Sequence, residues 1–397
     1  MLEYAGSQRA GLERHRGEGL AVVGILRGLD WLLVAGICGL VGVGLWAVSG
    51  VTRFDLAGDP THYVKRQVVY VCAGAVALVC ALLVDPDVYR RFWRPIYIGT
   101  VSLILIVLAL GTAARGSTRW INLGFITFQP SEFGKLLFVL AVAGFLADRG
   151  RADVSTTLRV LGLGVLPVVL VMAQPDLGTA LVYMAALGAM LFVSGTPARQ
   201  MLVLGTLAVL AVVTVLWAGP AAGVNFLKPY QKARLTCFVH PQKCTDDARY
   251  NLEQSIAAVG SGQLDGRGPK NATQTRLNFL PEHGTDFVFA SYSEQRGFVG
   301  ASILLGLYLL VLWRALRIVT VARDLFSAIV AGGIVVALLF QIFVNIGMTM
   351  GIAPITGIPL PFVSVGGSSM IANLAAMGVL LAIHSRGRAA RVSSRRR

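Results

Sequence analysis

The sequence predicts an all-α integral membrane protein with about ten transmembrane helices and one large, partly helical extracytoplasmic loop. Three observations carry that prediction. Of 397 residues, 55% are hydrophobic and 14% charged, against roughly 25% charged in an ordinary soluble domain. Mean hydropathy is +0.69, more apolar surface than a soluble core of this size could hide. The apolar residues also form continuous runs rather than an alternating pattern, which favours helices over a barrel.

The runs lie at 29–48, 68–84, 96–113, 133–146, 158–172, 177–193, 201–217, 287–313, 328–350 and 370–383. A crossing needs about 20 residues, so the fourth and fifth must include flanking polar positions. No cleavable signal peptide is expected, because Glu3, Arg9, Glu13, Arg14, Arg16 and Glu18 precede the first run without a small-residue cleavage pattern. With the N-terminus inside, the short inner connections carry Arg90, Arg91, Arg94, Arg149, Arg151, Arg199, Arg314, Arg317 and Arg323. The short outer ones are sparser, with Arg53, Lys65, Arg66, Arg115 and Arg119. An even number of spans returns the C-terminus to the same side. The expected organisation is a cytoplasmic tail (1–27), a polytopic membrane domain (28–384) holding an outer loop at 219–286, and a basic cytoplasmic tail (385–397). The expected location is the cytoplasmic (inner) cell membrane, multi-pass, with both termini in the cytoplasm.

A net charge of +15 raises nucleic acid as a partner. No recognition module or set of stacking aromatics accompanies it, and the last 13 residues alone hold Arg386, Arg388, Arg391, Arg395, Arg396 and Arg397. The basic residues read instead as topology determinants and contacts for anionic membrane lipids, with no nucleic acid. Cys38, Cys72 and Cys80 fall in spans and read as packing. Cys237 and Cys244 lie together in the outer loop, where oxidation is permitted; a disulfide and two free thiols are both open.

Polar groups at membrane depth are costly and therefore functional candidates. Glu132 and Lys135 follow Gln129-Pro130-Ser131 and share a helical face three residues apart, either as a self-neutralising pair or as a lysine held ready for phosphate. Asp176, in Gln174-Pro175-Asp176-Leu177-Gly178-Thr179, is either a helix cap or a functional carboxylate. Asp286 ends the crowded turn Pro281-Glu282-His283-Gly284-Thr285, where the loop re-enters the membrane. Capping by Thr285 or Asp286 is the alternative there. Residues 357–369 hold Pro359, Pro361, Gly366 and Gly367, so no regular helix runs through them. Such backbone must be buried or line a cavity, where Ser364, Ser368 and Ser369 could present hydroxyls.

These same residues carry a resemblance. Arg119-Trp120 with Gln129-Pro130-Ser131-Glu132, Gln174 to Thr179, Gly260-Ser261-Gly262 with Gly266-Arg267-Gly268, Phe279 to Glu282 with Thr285-Asp286-Phe287, and Pro359-Leu360-Pro361 with Ser364 and Gly366-Gly367-Ser368 are similar, in order, to motifs of the SEDS family (shape, elongation, division and sporulation). Residues 277–282 and 357–361 look closer to its elongation branch, RodA, than to its division branch, FtsW. The resemblance implies a peptidoglycan glycosyltransferase for cell elongation and shape. It would polymerise lipid II into β-1,4 glycan strands outside the membrane, beside a class B penicillin-binding protein that crosslinks them. It implies Asp286 as the essential aspartate, acting as general base or as an electrostatic partner or metal ligand for the same step. Arg119, Lys135 and Arg267 are cations for the diphosphate leaving group. Glu132, Asp176, Glu282, His283, Ser364 and Ser368 are further substrate-binding candidates. A single displacement would invert the anomeric carbon. A divalent cation is the one cofactor left open, its ligands unknown. The sequence departs from the family at Ser293-Glu294-Gln295, where two glutamates are frequent, and at Val365, where Tyr is frequent. A lipid II flippase and a non-catalytic scaffold for the crosslinking enzyme are the competing expectations.

Overall fold

The computed structural model describes residues 28–56, 58–114, 117–122, 127–149, 153–214, 231, 234, 237–238 and 245–394. Asp30 starts the first helix, α1 (Trp31–Val51), by accepting from Leu33 N at 3.1 Å, which satisfies a donor the helix cannot. Next come α2 (His62–Leu83), a short α3 (Pro86–Arg91) capped by Asp85, and α4 (Trp93–Leu110). A small antiparallel sheet follows, with β1 (Thr112–Ala114), β2 (Ser117–Asn122) and β3 (Thr127–Phe128) in that order. It is an addition to the all-helical expectation and delivers the chain to Pro130 in the first turn of α5 (Pro130–Arg149). Then come α6 (Val154–Ala173), α7 (Leu177–Val193) and α8 (Ala198–Val213). The outer loop contributes α9 (Asp246–Ser261), α10 (Gly268–Asn271) and α11 (Thr273–Arg276). The last three helices are α12 (Val288–Val321), α13 (Leu325–Thr349) and α14 (Gly367–Ser394). That last helix continues beyond the boundary expected at 384.

Among the described residues, α1, α2, α5, α6, α12, α13 and α14 are long and apolar enough to cross a membrane. The apolar helices α4, α7 and α8 are shorter. The central helices are α5, α13 and α14, whose most apolar stretches are 78%, 72% and 89% buried, against 39% or less for the other four long ones. Around them α2 packs along α14, α7 along α13, α1 along α12 and α4 along α5. Helix α8 buries none of its residues fully; it touches the bundle through Gln200, which accepts from Thr157 at 2.7 Å, and through Met201 and Leu204, and its remaining apolar surface suits lipid.

Two features set the frame for the site. The first is a break in α12 at Gly297, whose φ is +65° and ψ −165°. The donors it frees are taken by the outer loop: Phe298 N donates to Gln263 O at 2.7 Å and Val299 N to Leu264 O at 3.1 Å, while Arg267 N donates back to Glu294 O at 2.9 Å. The kink thus has a cause in backbone pairing. A Cβ at Gly297 would stand 2.3 Å from Leu264 O, so this joint requires glycine. The second feature is the placement of the chain ends. His384 Nδ1 meets Gly28 O at 3.1 Å, and Arg314, late in α12, holds Asp30. At the opposite ends of α1 and α12, Gly284 lies against Thr52. Both ends of the described chain therefore emerge at one face of the bundle, and Asp286 lies at the other.

Candidate active site at the mouth of the bundle

Asp286 is half-buried in the turn that leads into α12. Glu282, at φ +53°, closes that turn, accepting from Thr285 N at 3.1 Å and Phe287 N at 3.2 Å through its carbonyl. Its carboxylate accepts from Thr285 Oγ1 at 2.9 Å. The irregular stretch 354–366 wraps the turn from the other side. Ser364 Oγ donates to Thr285 O at 2.6 Å and accepts from Leu360 N at 2.8 Å, and Val365 N donates to Gly284 O at 2.9 Å. Ser364 is thereby a backbone clasp on the residue before Asp286.

Three residues outside the expected set complete this arrangement. Asn345 of α13, fully buried, donates through Nδ2 to Asp286 O at 2.9 Å and to Ile358 O at 2.7 Å. Gln67 of α2, also fully buried, donates to Ser364 O at 3.1 Å and accepts from Gly366 N at 3.3 Å. Arg234 reaches in from the outer loop. Gly357 takes φ +75°, and a Cβ built on it would stand 3.2 Å from Asp286 Oδ2 and 3.4 Å from Arg234 Nη1. A carboxylate and a guanidinium therefore face each other across one glycine. No sequence pattern marked Arg234, a cation in a polar loop, or the two amides, of which Asn345 sits inside an apolar run and Gln67 just before one.

The other candidates divide by depth. Glu132 and Lys135 are buried in α5 and paired at 2.9 Å. They line a cavity of about 30 Å³ with Gln341 and Asn373. Among the described residues, Glu132 Oε1 and Gln341 Nε2 have no hydrogen-bond partner. Asp176, buried, caps α7 through Thr179 N at 3.1 Å and also accepts from Gln129 Nε2 at 3.2 Å, so capping and linkage to the Glu132 segment coexist. The start of α7 touches the mouth as well, because a Cβ at Gly178 would stand 2.5 Å from Ile358 Cγ1 and 3.0 Å from Thr356 O. Ser368 Oγ accepts from Gln129 N at 2.8 Å and donates to Thr127 O at 3.2 Å, tying α14 to the β3–α5 junction.

Others stand apart from Asp286. His283 Nε2 meets Asp55 Oδ1 at 2.9 Å and its Nδ1 meets Leu280 O at 3.1 Å, which commits the ring to the α1–α2 connection. Arg267 is exposed and donates to Ser261 O at 2.9 Å. Arg119 lies on β2, its side chain outside the described residues. Glu294, fully buried, accepts from Gln274 N, Thr275 N and Thr275 Oγ1 at 2.9, 3.0 and 2.7 Å, a structural task that holds α11 onto α12. Cys237 is disulfide-bonded and Cys38, Cys72 and Cys80 are free; Cys244 lies outside the described residues. Among the described residues no three His, Cys, Asp or Glu side chains gather as a metal set would, and no catalytic step is assigned to a metal.

The fold and site define a polytopic membrane protein with a basic residue and a carboxylate held over one mouth and a polar pair at membrane depth. Residues 28–389 match the family model FTSW_RODA_SPOVE, described as a cell cycle protein. MrdB, a peptidoglycan glycosyltransferase of Escherichia coli strain K12, is 36% identical over 348 residues, covering 87% of this chain and 92% of its own. A chain from a peptidoglycan synthase complex that coordinates polymerization and crosslinking superposes with a TM-score of 0.77 at 31% identity, covering 90% of this chain and 98% of that one. The rod shape determining protein RodA of Thermus thermophilus does so with a TM-score of 0.66 at 29% identity, covering 90% and 96%. The chain belongs to the FtsW/RodA/SpoVE family, the SEDS proteins.

Proposed function

We propose that this chain is a peptidoglycan glycosyltransferase that joins lipid II units into β-1,4 glycan strands at the outer face of the cytoplasmic membrane. The observation that carries this reading is the meeting of Asp286 and Arg234 at Gly357, with the Asp286 turn clasped by Asn345 and Ser364. Asp286 takes the proton of the acceptor sugar hydroxyl as that oxygen attacks the donor's anomeric carbon. The bond to undecaprenyl diphosphate breaks, and the configuration at the anomeric carbon inverts. Arg234 receives the charge that develops on the departing diphosphate, with Lys135, Arg119 and Arg267 as further cations along the path. Glu132 orients Lys135. Asp176, at the start of α7, braces the same segment by accepting from Gln129.

Both described chain ends emerge at the face away from Asp286, which supports termini in the cytoplasm and chemistry outside. The elongation role rests on residues 277–282 and 357–361. The likeness to a chain of a synthase complex supports a class B penicillin-binding protein as the crosslinking partner. Buried Glu132 and Lys135 beside a cavity favour one second reading, lipid II translocation, since a path for a charged headgroup also needs polar groups at depth. The deciding experiment supplies purified protein and partner with lipid II. Polymer from the wild type, and at least about a hundredfold less from Asp286→Asn, supports the polymerase. Transport of lipid II across liposomes with no polymer would establish the flippase instead.

A further inference from the structure

At the face of the bundle opposite Asp286, the start of α1 and the ends of α12 and α14 enclose an open recess of about 430 Å³. Three guanidiniums line it, from Arg314, Arg317 and Arg388, and they differ in what they already hold. Arg314 is committed: its Nε lies 3.1 and 3.0 Å from the two oxygens of Asp30 and its Nη2 2.7 Å from Oδ2. Asp30 is buried and fully used, because the same carboxylate caps α1. Arg317 and Arg388 have no carboxylate within ion-pairing distance among the described residues; the Arg317 guanidinium rests 4.8 Å from the centre of the Trp313 ring. The contrast with the rest of this face is informative. Arg90, Arg323 and Arg386 are matched there with Asp148, Asp87 and Asp85.

One side of the recess is apolar, formed by Leu29, Trp31, Leu32 and Val321. Trp31 and Leu32, the first two residues of α1, are 61% and 53% exposed, which places an aromatic ring where the hydrocarbon meets the headgroups. A ligand that satisfies two unmatched guanidiniums and also covers exposed Trp and Leu has an anionic head and an apolar tail. We propose that this recess binds an anionic phospholipid, with Arg317 and Arg388 receiving its phosphodiester and its acyl chains lying against Trp31 and Leu32. Arginine suits that task because its fork matches phosphate oxygens and is weakly hydrated. The site is separate from the mouth that carries Asp286, and it does not depend on which reaction runs there.

The test uses the full chain in detergent, with native mass spectrometry as the readout and phosphatidylglycerol titrated against phosphatidylcholine. The wild type should retain phosphatidylglycerol in preference. Arg317→Gln with Arg388→Gln should weaken that retention roughly thirtyfold, the weight of two interfacial guanidiniums. Arg388→Gln alone, at an exposed position, should weaken it about fivefold. Replacing Arg395, Arg396 and Arg397 together by Gln should leave retention unchanged. Equal retention of the two lipids by the wild type would overturn the proposal. So would undiminished retention by the double and single variants, or a loss from the tail variant as large as from the double, since diffuse charge would then hold the lipid.

Discussion

Replacing Asn345 with alanine removes one amide that serves two backbone carbonyls, those of Asp286 and Ile358, at 2.9 and 2.7 Å. Each buried carbonyl left without its donor costs about 1–3 kcal/mol. Part of that is offset, because Asn345 Oδ1 is itself a buried acceptor with no partner among the described residues and the substitution removes it. The net is roughly 2 kcal/mol, enough to lower the apparent melting temperature in detergent by roughly 2 °C. The larger effect falls on chemistry. Asn345 fixes the peptide that carries the Asp286 side chain against the stretch that carries Gly357, and a displacement of about 1 Å at a reacting group can cost about a hundredfold in rate. Polymer formation from lipid II and thermal unfolding, measured on the same preparation, separate the two consequences. Asn345→Asp keeps the size and the acceptors but loses the donor, and should be at least as damaging. If Asn345→Ala melts lower yet polymerises at the wild-type rate, the amide is only a structural pin. If neither property changes, the clasp has no energetic weight.

Three further outcomes are expected. Lys135→Met leaves Glu132 buried at membrane depth without its cation and should destabilise the fold by about 3–5 kcal/mol; adding Glu132→Gln should recover most of that stability but not activity, as thermal unfolding and polymer yield would report. Gly297→Ala sets a methyl 2.3 Å from Leu264 O and 2.4 Å from Gly266 N at a φ of +65°, so the outer loop should detach from α12, seen as faster proteolysis near 262–267. Cys237, being disulfide-bonded, should react with a membrane-impermeant maleimide only after reduction; labelling without reductant would contradict the bridge.

The apolar runs made the helical membrane architecture legible, because a stretch of 20 or so residues without charge has few other destinations in water or lipid. The shorter helices show where that logic weakens: α4 stops at Leu110, capped by Gly111, before its apolar run ends at 113, and α7 fills its run yet has only 17 residues. The strands at 112–128 were not legible, since six residues of mixed polarity such as Ser117–Asn122 carry too little alternation to betray a hairpin. Asp286, Glu132, Lys135 and Asp176 stood out as charges where charges are expensive. Asn345 and Gln67 did not, because an uncharged amide declares no task until the backbone groups it serves are brought beside it. Glu294 read as the remnant of an acidic pair and turned out to be fully occupied with the backbone of α11.

The joint at Gly297 makes the stretch from Asp286 to Gly297 a ruler. Its far end is fastened to the loop by main-chain bonds at a joint that only glycine fits, and its near end carries the carboxylate. Adding or deleting one residue between them would turn Asp286 by about 100° and move it about 1.5 Å along the axis, out of line with Gly357 and Arg234. In descent, therefore, substitutions between 288 and 296 should accumulate where packing permits, while changes of length there should be purged.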